Sequence, residues 1–222
     1  MDNPYQPPSA AEPPVLPPSQ ADLRNPRLLA VTSLWLYAIS MIAEVADHVK
    51  RSVAPPLPDF NNPLFHDTYV HDTYVVTSAG LTPLDWLMLF TGLGSIIPYL
   101  MWKYRAAANA RILDPSAARI SPGMAVGSYF IPFAQLVIPC QAMAGIARAS
   151  TGSIAGVALW WTGHVGAILA GVVIGLMPVP PDGLGRPSTF EHGYIVWSLL
   201  TFLVTCQLVM RITRAQSAKC AA

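Results

Sequence analysis

Charged side chains are scarce in this sequence. Asp, Glu, Lys and Arg make up 11% of the residues, whereas soluble domains carry about a quarter. An ordinary water-soluble domain is therefore excluded. The formal net charge of +1 offers no bulk attraction to a polyanion, so no nucleic-acid partner is predicted.

Cysteine is equally scarce, and the spacings typical of catalytic sites are missing. The three cysteines, Cys140, Cys206 and Cys220, form no CxxC pair, which argues against a disulfide framework and against a zinc site. No nucleophile elbow, glycine-rich phosphate loop or nucleophile–base pair occurs at a recognisable spacing. The sequence therefore favours a protein that is not an enzyme, and no cofactor is predicted.

Hydrophobic residues are abundant, at 53% of the chain, and they are gathered into long runs. Four runs are long enough to cross a hydrocarbon core of about 30 Å, and we predict spans at about 28–46, 84–102, 154–177 and 194–210. The predicted fold is an all-α membrane protein with one membrane domain, 27–214. A proline-rich, disordered tail (1–26) precedes it, and a short tail (215–222) follows it.

A fifth apolar stretch, residues 121–150, is interrupted by Pro132 and Pro139. A proline removes a backbone donor and clashes with the preceding turn, so the remaining pieces are too short to cross a bilayer. Gln135 and Gln141 add polar amides. Because irregular backbone enters a membrane only where its polar groups are satisfied, we predict a re-entrant or interfacial helical segment, called here the broken segment.

The distribution of basic residues favours four spans over five. With four spans, ten Lys and Arg residues lie on the side of the N-terminus, and only Lys50, Arg51 and Arg186 lie on the other side. With the broken segment as a fifth span, the split is seven against six. The positive-inside rule therefore predicts four spans in the bacterial inner membrane, with both termini in the cytoplasm.

Two surface features predict contacts with the membrane and with other helices. Basic residues follow the second span at Lys103, Arg105, Arg111 and Arg119, and such groups commonly contact anionic lipid head groups. Gly171 and Gly175 form a GxxxG motif in the third span. Small residues at this spacing allow close helix packing, so this face is predicted to contact a second copy of the chain or a partner membrane protein.

His164 lies near the middle of the third predicted span. An ionisable residue at that depth is a functional hypothesis by default, so His164, with Gln135 and Gln141, is a candidate ligand or ion site. The alternative is a neutral imidazole bonded to a neighbouring helix, and the absence of an acid nearby in the span favours this alternative.

The pentapeptide HDTYV occurs twice in tandem, and its His66, Asp67, His71 and Asp72 could bind a metal ion. The odd spacing places the two copies on opposite faces of a strand, which favours a structural role in an outer loop. The string HDTYVV resembles the HDTY motif of haem–copper oxidase subunit I. This resemblance would place His71 and Asp72 at that family's magnesium site. The haem-ligand histidines that follow in that family are replaced here by TSAG at 77–80.

The region from residue 102 to the start of the third span carries a dense pattern of motifs. Its residues are Tyr104, Arg105, Asn109, Pro122, Gly127, Phe130, Pro132, Pro139, Gln141, Arg148, Ser150, Trp160 and Trp161. In this pattern the region resembles the bacterial membrane family called domain of unknown function 4328. The resemblance implies a multi-pass bacterial membrane protein and brings no activity, cofactor or substrate.

The functional prediction from sequence is a non-enzymatic structural or interaction component of the bacterial inner membrane. Two alternatives stay open. One is a small transporter or channel component that uses the broken segment and His164, because transporters place irregular backbone at their binding sites. The other is a metal-binding oxidase-accessory protein that uses the HDTYV repeat.

Overall fold

The computed structural model describes residues 22–53, 82–176 and 189–221. Six α-helices lie in these ranges: α1 (Arg27–Val53), α2 (Pro83–Leu113), α3 (Pro122–Gly127), α4 (Ile138–Thr151), α5 (Val157–Leu176) and α6 (Thr189–Ala221). No strand occurs in them, so the all-α prediction is confirmed. The HDTYV repeat and its predicted outer strand lie outside the described residues.

Helices α1, α2, α5 and α6 are long and apolar enough to cross a membrane, which confirms the four predicted membrane helices. Two of them extend well past the predicted limits, since α2 has 31 residues and α6 has 33. At 1.5 Å per residue each is about 45–50 Å long, longer than the hydrocarbon core. The hydrophobic run therefore marks only the part of each helix that is apolar enough to lie in lipid, and the more polar residues beyond it continue the helix.

The start of α2 is fixed by a capping box. The Thr82 hydroxyl accepts a hydrogen bond from the Asp85 amide at 3.3 Å, and the Asp85 carboxylate accepts one from the Thr82 amide at 2.7 Å. Pro83 occupies the first turn, where its missing N–H costs no hydrogen bond. Pro98 lies inside the helix, which nevertheless continues to Leu113.

The broken segment forms two short helices instead of one long helix. The six residues of α3 and the fourteen of α4 are joined through two 3₁₀ turns, Ser128–Phe130 and Ala134–Leu136. Between these turns Phe133 has a φ of 64° and a ψ of −42°, a positive-φ conformation that a right-handed helix cannot contain. The sequence predicted an interruption at Pro139, but this residue lies in the first turn of α4 and the helix continues past it. Both helices are shorter than the length of about 20 residues that a span requires.

The long helices alternate in direction, so the bundle has two distinct ends. At the proximal end the Ser217 hydroxyl donates to the Asn25 side chain at 2.8 Å, and the Arg211 guanidinium donates to the Ala155 carbonyl at 2.6 Å. At the distal end Arg51 pairs with Glu191 at 3.1 Å. The broken segment thus leaves the end of α2 and reaches the start of α5 at the same end of the bundle.

A buried group of amides, the proximal polar cluster, fastens four elements together. Asn109 accepts from the Arg24 amide at 3.1 Å and donates to the Arg24 carbonyl at 2.7 Å and to the Gln216 side chain at 3.1 Å. Gln216 donates to the Ala106 carbonyl at 3.0 Å and to the Ser150 hydroxyl at 2.8 Å. The cluster joins the residues before α1 to α2, α4 and α6.

Helix α4 belongs to the core of the bundle. Its Met143, Ile146 and Ala147 are buried with Trp102 of α2 and with α6 side chains. Gly145 allows the turn after α2 to approach, because a Cβ at this position would lie 2.8 Å from the Ala117 carbonyl oxygen. The second half of the broken segment is therefore packed against the spans.

Candidate functional site

Lys103 of α2 is buried at the point where the broken segment meets the bundle. Its side chain is 0% exposed. The ammonium donates to the Tyr129 hydroxyl at 2.7 Å and to the Pro139 carbonyl at 3.2 Å. It also lies 4.5 Å from the ring centre of Tyr129 and 5.4 Å from that of Trp160. Among the described residues no carboxylate pairs with it, and the partners that it contacts are aromatic rings and neutral oxygens.

The predicted contact between Lys103 and lipid head groups is wrong. Residue 103 lies on the face of α2 that packs against the broken segment, and its ammonium is already bonded inside the protein. Arg111 and Arg119 are exposed, and Arg105 is half-buried, with its guanidinium donating to the Asn25 carbonyl at 3.3 Å. A head-group contact stays a prediction for these three arginines.

The break itself is held by donors from two spans. Besides Lys103, the indole of Trp161 on α5 donates to the Leu136 carbonyl at 3.1 Å. Leu136 lies in the second 3₁₀ turn, where backbone carbonyls lack the regular pairing of an α-helix. One carbonyl of the irregular backbone is thus paired with a protein donor, as an apolar environment requires.

The first 3₁₀ turn closes one side of a cavity of about 410 Å³ between the four long helices. The cavity is lined by Ser33, Leu34, Tyr37, Ser40, Gly92, Ser95, Ile96, Tyr99, Leu100, Tyr129, Phe130, His164 and Thr205. Its surface is largely apolar, with a few hydroxyls and one imidazole. This size and this composition are typical of small-molecule sites.

Two tyrosine hydroxyls lie together beside the buried cation. The Tyr99 hydroxyl is buried close to that of Tyr129 but forms no well-aligned hydrogen bond. The Tyr99 ring stacks on Trp102 at 5.7 Å, and Trp102 donates to the Thr213 hydroxyl at 2.9 Å, which fixes the stack from behind. Burial raises the pKa of Tyr129 to about 12. Tyr129 is therefore neutral at physiological pH and provides no counter-charge for Lys103.

His164 reaches the same cavity from α5. Its Nδ1 lies 2.9 Å from the Trp160 carbonyl oxygen, and because a carbonyl only accepts, Nδ1 carries the proton and Nε2 is left as an acceptor. The alternative from sequence was an imidazole bonded to a neighbouring helix. The structure instead bonds it to a carbonyl one turn earlier on its own helix. The hydrogen bond and the Trp160 ring at 4.9 Å fix its orientation.

The structure does not bring the two glutamines to His164. Gln135 and Gln141 are exposed, and neither lines the cavity. Gln141 lines a separate pocket of about 170 Å³ together with Arg119 and Gly145. The sequence did not predict that Lys103 is buried, and it did not single out Tyr99 or Tyr129. The one available signal was a lysine directly after an apolar run.

The residues that carry the family resemblance divide between three places. Asn109 and Ser150 belong to the proximal polar cluster, while Pro139, Trp160 and Trp161 surround Lys103 and the break. The exposed members are Tyr104, Phe130, Pro132, Gln141 and Arg148; Arg105, Pro122 and Gly127 are half-buried. Buried members of the pattern therefore concentrate where the broken segment is attached.

The glycines of α5 serve two different faces. A Cβ at Gly163 would lie 2.6 Å from the Thr201 hydroxyl, and one at Gly166 would lie 2.8 Å from the Trp197 ring, so both glycines allow close approach of α6. A Cβ at Gly171 would meet nothing within 4 Å. Packing of the Gly171 and Gly175 face against another chain stays a prediction.

No three His, Cys, Asp or Glu side chains gather into a metal-binding group in the part of the chain that the structure describes. The four candidate ligands of the HDTYV repeat fall outside that part. The metal hypothesis for His66, Asp67, His71 and Asp72 therefore stays a hypothesis from sequence.

Comparison with known protein families gives one match, to the domain of unknown function DUF4328, over residues 72–214. The matched region contains the broken segment, all of α2 with Lys103, all of α5, and α6 up to Arg214. No curated protein and no solved structure matches the chain. Because the match spans more than half of the sequence, the chain belongs to the DUF4328 family of proteins with a domain of unknown function.

Proposed function

We propose that this integral membrane protein is not an enzyme and works by binding a small amphipathic molecule in the cavity beside Lys103. One observation carries the proposal: Tyr129, His164 and the hydroxyl-bearing Ser95 line a largely apolar space of about 410 Å³ between the four long helices. An apolar cavity with a few fixed polar groups suits a ligand with an apolar body and one polar end.

The polar end of the ligand is expected to accept hydrogen bonds. The Lys103 ammonium donates to the Tyr129 oxygen at 2.7 Å, and a hydroxyl polarised in this way becomes a stronger donor itself. The neighbouring Tyr99 hydroxyl has no well-aligned partner. A carbonyl, carboxyl or phosphate oxygen would accept from the Tyr129 hydroxyl, while Ile96 and Phe130 line the space for an apolar body.

The proposal includes a re-entrant path for the broken segment. Phe130 and Phe133 near its tip are 73% and 84% exposed, which suits contact with lipid. Phe130 lines the same cavity as Tyr37, which lies ten residues into α1 beyond Arg27, a rise of about 15 Å. Penetration to that depth, with both ends of the segment at the proximal end, supports entry and exit on one face of the bilayer.

The proximal end is proposed to face the cytoplasm of a bacterial inner membrane. Nine basic residues flank the helix ends there: Arg24, Arg27, Arg105, Arg111, Arg119, Arg148, Arg211, Arg214 and Lys219. At the distal end the described basic residues are Lys50 and Arg51, and Arg51 pairs with Asp47 and Glu191. The positive-inside rule supports this orientation.

Filling the cavity tests the binding proposal. In lipid nanodiscs, we expect the full chain to bind a fluorescent fatty acid or the matching fatty alcohol saturably. Ser95→Phe places a ring in the cavity and should weaken binding at least tenfold. The control Ile97→Phe alters the outer face of the same helix, where Ile97 is 66% exposed, and should leave binding unchanged. Equal affinities in both variants, or saturable binding of neither probe, would rule the proposal out.

A transporter would bind its substrate in the same cavity, so the binding experiment does not distinguish a transporter from a protein that only binds the ligand. Probe flux into proteoliposomes then separates them, because a binding-only protein produces none. An interaction role is favoured by a separate observation, namely the open position of Gly171 beside the exposed Ile168 and Val172.

A further inference from the structure

A second groove, of about 540 Å³, lies at the proximal end between the residues before α1, the second half of α2 and α3. Its rim carries Asp22, Arg24 and Arg105. Its apolar wall is formed by Leu29, Leu100, Met101, Ile112 and Val126. Unlike the cavity beside Lys103, this groove combines a charged rim with an apolar floor.

On the membrane side of Arg105 the groove becomes apolar along the axis of α2, at Leu100 and Met101, while Ile112 lies on the proximal side of Arg105. Arg105 lies one turn beyond Met101 on α2, a rise of about 6 Å. The groove also touches Tyr104, which is 53% exposed, and an exposed tyrosine beside charged groups is typical of the membrane interface. A phospholipid has the same order of groups, with the phosphate at the interface and the acyl chains below it.

The arginines at the rim suit a phosphate. One guanidinium nitrogen of Arg105 donates to the Asn25 carbonyl at 3.3 Å, which holds this side chain at the rim. A guanidinium has five N–H donors in a planar fork, so others are left for a phosphate. Arg24 is exposed at the same rim. Asp22 lowers the local charge, which suits a head group with a single negative charge better than a more highly charged one.

We propose that this groove binds an anionic phospholipid, with its phosphate on Arg24 and Arg105 and one acyl chain against Leu29, Leu100 and Met101. The site is separate from the cavity proposed above, although Leu100 lines both. The sequence predicted lipid contact along a basic surface that included Lys103. The present proposal assigns the lipid to one groove, and Lys103 is not part of that groove.

Native mass spectrometry of the full chain tests the proposal. After extraction in a mild detergent and exposure to equal amounts of phosphatidylglycerol and phosphatidylcholine, we expect preferential retention of one phosphatidylglycerol. The double variant Arg24→Ala/Arg105→Ala should reduce that retention at least tenfold. The matched control Arg119→Ala/Arg148→Ala removes the same charge from exposed residues outside the groove and should retain the lipid.

Two further measurements test whether another ligand occupies the groove and whether lost retention reflects misfolding. Met101→Glu leaves the rim intact but places a charge in the apolar floor, so it should also lower retention. Excess inorganic phosphate should not displace the lipid. Equal loss in both double variants, equal retention of the two lipids, or displacement by phosphate would overturn the proposal. If the rim double variant fails to fold, the Met101→Glu result and the lipid preference of the unaltered protein still decide it.

Discussion

Replacing Tyr129 by Phe should lower the free energy of unfolding by about 2–3 kcal/mol, although only one oxygen atom is lost. That oxygen accepts a 2.7 Å hydrogen bond from the buried Lys103 ammonium. Hydrogen bonds to charged groups contribute about 1.5–3 kcal/mol, and leaving a buried charge short of partners is especially costly. Equilibrium unfolding of the purified protein in detergent at about pH 6, where Lys103 keeps its proton, measures the loss.

A double-mutant cycle isolates the contribution of the cation. Lys103→Met removes the buried charge together with its desolvation cost, so this variant should stay folded. In that background Tyr129→Phe should cost less than about 1 kcal/mol, because the hydroxyl no longer meets an ammonium. The same cost of Tyr129→Phe in both backgrounds would show that Lys103 does not hold the broken segment through Tyr129.

Alkaline titration provides an independent readout of the same residue. The ordinary pKa of Tyr129 is 10.0, and burial raises it to about 12 in the folded protein. Between these values the unfolded chain loses the proton while the folded protein keeps it, so this contribution to stability is complete below pH 10 and lost as the pH rises through 12. Tyr129→Phe should make the fall in melting temperature over this range less steep than in the unaltered protein.

Asn109→Ala should lower the free energy of unfolding by about 2–4 kcal/mol. The substitution removes three hydrogen bonds and leaves the Gln216 side-chain oxygen buried without its donor, and each orphaned polar group costs about 1–3 kcal/mol. Partial solvent access at Arg24 limits the total. Thermal unfolding in detergent measures it.

A matched amide on the surface provides the control for Asn109. Gln141→Ala truncates an exposed amide in the same family pattern and should change stability by no more than about 0.5 kcal/mol. Similar losses in the two variants would mean that the proximal polar cluster contributes little to joining α1, α2, α4 and α6.

Hydrophobicity alone predicted the four membrane helices, because lipid leaves the backbone no partner except its own helix. The break around Pro132 was also predicted, since prolines remove donors, but a second interruption at Pro139 was predicted and does not occur. Pro139 lies in the first turn of α4. The chain turns at Phe133, which has a positive φ, and a phenylalanine in the sequence does not indicate such a conformation. A proline marks where a helix is weak, and tertiary packing decides where it ends.

The candidate site was harder to predict, because its residues meet only through the path of the chain. Lys103 follows an apolar run and was therefore assigned to the membrane surface. However, α2 continues to Leu113, so residue 103 lies inside the bundle beside Tyr129. His164 was recognised because its depth in a span is visible in sequence. Tyr99 and Tyr129 were not recognised, since no sequence spacing links them.

The most direct test is the side of the membrane on which each end of the broken segment lies. In a background with the native cysteines replaced by serine, single cysteines at the exposed positions Ser116, Ser153 and Thr189 are labelled in intact spheroplasts and in inverted vesicles with an impermeant maleimide. Cysteines at 116 and 153 should react from one and the same face, and the cysteine at 189 should react from the opposite face. Reaction of positions 116 and 153 from opposite faces would make the broken segment a fifth span and contradict this account.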